Sequence, residues 1–203
     1  MNQQVTKRFI KIAGYGLLVA VLGWLAFDHF YVSPAPGDFE VRAGNIHLDI
    51  KQYDEALEDY NAALEKSPDH RGALMGKAIA YHLSKRADKA EVAYTYLISY
   101  LSKRLASDDA TGTAVLAGAY ANRGILKDQD GRHKQALEDY IKALKTDEEA
   151  VKGAGVVDKI LHIVDPSTIR KRAQYLYKQF QLPEEKRVFL NPEIDKKQRM
   201  VKP

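Results

Sequence analysis

The chain has 203 residues, 45% hydrophobic and 29% charged, which suits one folded domain with an appendage and is too apolar for wholesale disorder. It contains no cysteine, which excludes disulfides, thiolate metal centres, haem attached through this chain and cysteine nucleophiles. The net charge of +4 divides into +3 over residues 1–11, −1 over 12–31, −4 over 32–165 and +6 over 166–203, so the cations gather at the two ends and the middle argues against nucleic-acid binding.

Residues 1–11 form a basic leader carrying Lys7, Arg8 and Lys11. Ile12 to Phe27 (IAGYGLLVAVLGWLAF) follows without a charge, and residues 12–32 together reach the length of about 20 that a helix needs to cross a bilayer core. Lys11 at one edge, and Trp24, Phe30 and Tyr31 at the other, suit the headgroup zones. This predicts a transmembrane signal anchor. A cleaved signal peptide is the alternative, but it needs small residues at its cleavage site, and VSPAPG flanks its one small candidate with prolines. Ala13, Gly16, Ala20, Gly23 and Ala26 recur every three or four residues. Such a stripe lets a second membrane helix approach closely, or else reflects how common small residues are in membrane spans. Three cations before the span, with Asp28, Asp38 and Glu40 after it, predict a cytoplasmic N-terminus and a C-terminal domain outside, in a bacterium the periplasm. Residues 33–36 read as a short linker.

Beyond the linker the sequence repeats. ALEDYNAAL at Ala56–Leu64 returns as ALEDYIKAL at Ala136–Leu144, 80 residues on. Between them Ala56, Tyr60, Ala63 and Pro68 are followed 34 residues later by Ala90, Tyr94, Leu97 and Ser102, so 80 is two periods of 34 and an insertion of 12. The units are then 37–70, 71–104 and 117–150, with the insertion at 105–116. Gly44, Ala78 and Gly124 on each first helix face Ala56, Ala90 and Ala136 on its partner. These small residues let two backbones pack closely, and Tyr60, Tyr94 and Tyr140 fill the space between units. Gly131 suits a helix-to-helix turn and Pro68 ends a helix.

Those positions resemble the tetratricopeptide repeat over about residues 37–150. The resemblance implies an all-α solenoid of three units, with the first helix of each unit lining a concave groove that receives a peptide or partner helix. On that face the expected partner-binding residues are Asn45 and Asp49, then Met75, Ile79 and His82, then Ala121, Ile125 and Asp128. Some members capture a terminal carboxylate with a basic clamp. Here Val41, Gly76, Gly118 and Asn122 stand where most of its cations would be, and Asn45 alone is in keeping, which leaves an apolar or basic segment as the expected ligand, the alternative being that this face packs against the insertion or the tail.

After residue 150 the pattern thins. Ala154, Val157 and Leu161 have the spacing of another first helix, and Asp165-Pro166 reads as a cap followed by proline at the first helical position. Ile169, Ala173, Leu176, Tyr177 and Phe180 would share one face of the next helix, with Arg170, Lys171, Arg172 and Lys178 solvated opposite. Residues 151–182 are therefore expected to be a degenerate fourth pair capping the stack. Residues 183–203, rich in proline and charge, read as an extended basic tail in which Val188, Phe189 and Leu190 pack back or serve for docking.

Six histidines occur without metal-binding spacing, and no phosphate loop or nucleophile elbow is present. His47 and His133 stand where an aromatic ring packs in the repeat. No catalytic residue, metal or cofactor is assigned. The sequence is that of a non-enzymatic, membrane-anchored scaffold or assembly factor working on protein partners that are themselves membrane-associated. Alternatives are an accessory subunit of a membrane complex, a translocon-associated chaperone, a cytochrome c maturation factor, or a cytoplasm-facing adaptor or import receptor.

Overall fold

The computed structural model describes residues 3–31, 34–147, 151, 169–195, 198, 200 and 201, which fall into two units, 1–35 and 36–203. The first unit is one helix, α1 (Gln3–Tyr31). It starts before the expected apolar segment because Gln3 to Lys11 are mostly good helix formers. The stretch Thr6–Leu25 is long and apolar enough to cross a membrane, and none of it is buried within the structure. Phe9, Leu17, Val19 and Trp24 are all exposed.

The second unit is built from helical hairpins: α2 (Asp38–Asp49) with α3 (Tyr53–Lys66), α4 (Arg71–Leu83) with α5 (Ala87–Arg104), and α6 (Ala110–Gln129) with α7 (His133–Thr146). No strand occurs among the described residues. Each first helix ends the same way. The amide of Gln52 donates to His47 O and that of Lys51 to Leu48 O. Arg86 and Lys85 repeat the pair onto Tyr81 and His82, and Arg132 and Gly131 repeat it onto Lys127 and Asp128. This double bond requires a left-handed residue just past the helix, which is Lys51 (φ 64), Lys85 (φ 63) and Gly131 (φ 75). Only the third unit has the glycine that the geometry favours.

Each second helix then folds back along its partner. Ala56, Ala90 and Ala136 are fully buried, as are Tyr60, Tyr94 and Tyr140. A methyl group added at Gly44 would stand 2.7 Å from the Tyr60 ring, and one at Gly124 the same distance from Tyr140. The Tyr60 ring also presses on Gly76 of the next unit, so one side chain closes both its own hairpin and the junction beyond. Each such ring contributes about 2–3 kcal/mol by the area it buries. The D of each ALEDY works alike. Asp59 reaches back to His47 (2.7 Å), and Asp139 is gripped by Arg123 through two hydrogen bonds (2.8 and 2.7 Å) and by Lys127 (2.8 Å).

Successive helices pack in order from α2 to α7, and α2 also meets α4 while α4 meets α6. No comparable contact joins α3 to α5 or α5 to α7. The first helices are therefore on the inner side of the stack. The twelve residues expected as an insertion are a short connection, Leu105–Asp109, followed by an N-terminal extension of α6. Asp109 caps that extension by accepting from the Gly112 amide (2.7 Å) and binds Arg71 (2.6 Å), which fixes it to the preceding unit.

The expected first helix of the fourth pair lies outside the described residues apart from Val151, which is buried. Its partner is present as α8 (Ile169–Phe180), packed on α7. The face it buries differs from expectation: Ile169, Ala173 and Leu176 are inside as predicted, but Tyr177 is exposed and Arg172 has taken the inner position. The tail is not simply extended. It contains a short 3₁₀ turn at Glu184–Lys186 and one helical turn, α9 (Pro192–Asp195), with Asn191 accepting from the amides of Glu193 and Ile194 at its start. Of Val188, Phe189 and Leu190, Phe189 packs, stacked on His133 (4.5 Å) and against Phe180 (5.1 Å), while Val188 and Leu190 stay exposed.

Candidate peptide groove

Gln198, Met200 and Val201 of the chain itself lie on the inner face of α4 and α6. Asn122 carries the contact. Its Nδ2 donates to Val201 O (2.7 Å) and its Oδ1 accepts from Val201 N (2.8 Å), so one amide side chain reads both polar groups of one extended residue. Asn122 is fully buried, and burial without these bonds would be costly. One helical turn earlier Gly118 supplies the room: a Cβ there would come within 3.1 Å of Val201 Cγ1 and 2.9 Å of Met75 Cε.

Met200 packs against both halves of the hydrophobic core, and the Tyr94 hydroxyl points at its sulfur (3.9 Å). Around it Ile79 and His82 of α4 and Ile125 and Gln129 of α6 border a partly open cavity of about 500 Å³. Gln198 donates from Nε2 to the Tyr140 hydroxyl (2.6 Å), which donates in turn to Asp128 (3.1 Å). Burial raises the Tyr94 and Tyr140 hydroxyls well above their ordinary pKa, so both remain protonated donors. Burial likewise lowers the His82 pKa and keeps its ring neutral; Nε2 faces Gln129 Oε1 at 3.1 Å.

Asp128 is the hub beneath this contact. It accepts from Arg172 Nε (2.6 Å) and Nη2 (2.8 Å), from His133 (2.7 Å) and from Tyr140. Arg172 Nη1 lies 2.8 Å from Asp195 Oδ1 at an angle too oblique for a hydrogen bond, which ties α9 to the same charge cluster. Burial opposes the charge on Arg172, but the facing carboxylates win and hold its pKa above the ordinary value.

The predicted face is therefore divided. Met75, Ile79, His82, Ala121, Ile125 and Asp128 are all buried on α4 and α6, and Met200 and Val201 pack on the apolar cluster that holds Ala121 and Ile125. Asn45 and Asp49 are on α2, away from these tail contacts. Asn45 accepts from the Tyr60 hydroxyl (2.7 Å), and Asp49 is exposed. The stripe of Ala13, Gly16, Ala20, Gly23 and Ala26 belongs to α1, and no atom approaches within 4 Å of where a Cβ would stand at Gly16 or Gly23. Among the described residues no group of three histidines or carboxylates is placed to hold a metal ion.

Asn122, Gly118, Tyr94 and Arg172 carry the groove and were not predicted to. The available signal was Gly118 and Asn122 one turn apart on the inner face of an alanine-rich helix. Glycine and asparagine are both weak helix formers and need another reason to be there.

Paired antiparallel helices stacked in successive hairpins, with small residues at the crossings, define a helical repeat protein. Two models of the tetratricopeptide repeat match the chain, over residues 41–110 and 117–149, together just over half its length. The chain belongs to the tetratricopeptide repeat family and is a protein–protein interaction scaffold. No curated relative matches it.

Proposed function

We propose that the protein is a membrane-tethered scaffold that holds an extended segment of a membrane-associated partner on the inner face of α4 and α6, on the periplasmic side of a bacterial inner membrane. The observation that carries this reading is the peptide-like seat itself: a buried asparagine bonded to both main-chain groups of one residue, beside an apolar cavity. Main-chain recognition gives affinity, and adjoining pockets give selectivity. The tether is argued from α1, whose large apolar side chains have no cover within the chain and would be untenable in water. Lys7, Arg8 and Lys11 ahead of the span set the orientation. The Ala13–Gly16–Ala20–Gly23–Ala26 side of α1 would let a partner's span lie close, and tethering raises the groove's effective concentration toward such partners.

Two measurements test this. A reporter active only outside the cytoplasm, fused after the last residue, should be active, while activity of a cytoplasm-only reporter refutes the orientation. A photo-crosslinker placed at Ile125 in intact cells should capture a membrane protein, and capture that survives substitution of Asn122 would remove the groove from the interaction.

A further inference from the structure

The contacts of Gln198, Met200 and Val201 define a ligand pattern, and deepen the groove reading on which they rest. Gln198 gives a hydrogen bond to Tyr140, Met200 supplies an unbranched apolar side chain to both core clusters, and Val201 offers its main chain to Asn122. The seat is incompletely filled, because a cavity of about 500 Å³ remains beside Met200. The tail is also anchored independently upstream, where Asp195 meets Arg172 and Phe189 stacks on His133.

We propose that the groove is selective for a segment of the form Gln-x-Met-Val, that Gln198, Met200 and Val201 of the chain's own tail are its resident occupants, and that a partner segment of that form enters by displacing them. The upstream anchors keep the released residues close to the groove, so the tail competes with every incoming segment at an effective concentration on the order of millimolar. An entering segment with a larger apolar side chain than Met200 gains burial in the cavity that the resident leaves open. The tail therefore sets a threshold that weak segments do not cross.

The test is direct binding of a fluorescent peptide of residues 195–203, DKKQRMVKP, to the full chain in detergent and to the same chain ending at Lys197. With a peptide affinity of about 10–100 μM, the shortened chain should bind about ten- to a hundredfold more tightly than the intact one. Asn122→Leu in the shortened chain should abolish binding. A peptide carrying Val201→Pro, which lacks the donated N–H, should lose at least about tenfold. In case shortening disturbs folding, the intact chain carrying Val201→Pro is the second variant, and it should bind the unmodified peptide more tightly than the parent. Equal binding by intact and shortened chains overturns the proposal. So does a shortened chain that keeps its helicity and cooperative melting and binds no peptide. Loss of the crosslinked membrane partner with peptide exchange intact would sink the scaffold reading alone, and the reverse result would sink this inference alone.

Discussion

Replacing Arg172 by methionine should unfasten the C-terminal end of the stack. The guanidinium is 2% exposed and gives Asp128 two hydrogen bonds, at 2.6 and 2.8 Å, while its third nitrogen faces Asp195. Methionine refills much of the volume but leaves a buried carboxylate without its cation, and breaking such a pair from one side costs about 3–5 kcal/mol. His133 and Tyr140 still donate to Asp128, and Asp195 is partly solvated, so the lower end, about 3 kcal/mol, is expected. A repeat stack need not unfold in one step, so amide hydrogen exchange along α8 is the suitable assay. A loss of about 3 kcal/mol should speed exchange there by about a hundredfold, with α2 and α3 unchanged. Adding Asp128→Asn removes the stranded charge, and the double variant should recover about 1–2 kcal/mol relative to the sum of the single ones. Exchange at α8 within a factor of five of the parent, or strict additivity in the double variant, would refute the assignment of this cluster as the clasp.

Gly124→Ala should destabilise by about 1–3 kcal/mol in urea unfolding despite alanine's better helix propensity, because the methyl would meet the immobile Tyr140 ring at 2.7 Å. Lys51→Gly and Lys85→Gly should each stabilise by about 0.5–1 kcal/mol, since both occupy left-handed backbone, and Gly131→Ala should destabilise by a similar amount. Acid should weaken the third hairpin. Burial opposes ionisation of Asp139, but Arg123 and Lys127 outweigh it and lower its folded pKa. The stabilisation it gives is full above the unfolded value of about 4 and is lost as pH falls through the lower folded one, so Asp139→Asn should flatten that limb of stability against pH. His82, held neutral by burial, should cost stability as pH drops below about 6.5 toward its lowered folded pKa, and His82→Gln should remove that slope.

The repeat units were legible because packing at helix crossings demands particular residue sizes. Glycine or alanine at 44, 78 and 124 has no substitute where the helices meet, and Tyr60, Tyr94 and Tyr140 fill a volume that other residues do not. Size constraints of that kind recur at the period of the fold, so they appear in the sequence as a period. The ends of helices were less legible. Lys51 and Lys85 carry no mark of the left-handed turn they make, because the paired hydrogen bonds of each turn tolerate a strain that glycine would relieve. The lengthened α6 was read as an insertion, since repeat spacing locates the crossing at Gly124 and does not say where the helix carrying it begins.

Arg172 and the tail were misread for a different reason. A cation on an amphipathic helix is solvated unless a carboxylate waits opposite, and the carboxylate that waits, Asp128, is 44 residues away in a different hairpin. No local pattern carries that information. The tail goes further in the same direction: Asn122 holds the peptide unit of Val201, which every residue but proline offers in the same form, so the sequence of the tail is left with three side-chain contacts to satisfy, at Gln198, Met200 and Val201. A short polar-and-apolar segment among lysines meets that demand without looking like a ligand. The same economy makes the seat exchangeable: two hydrogen bonds to one main-chain unit and one thioether beside a partly open cavity hold the tail locally, and the main-chain bonds are ones that another chain in extended form can supply equally well.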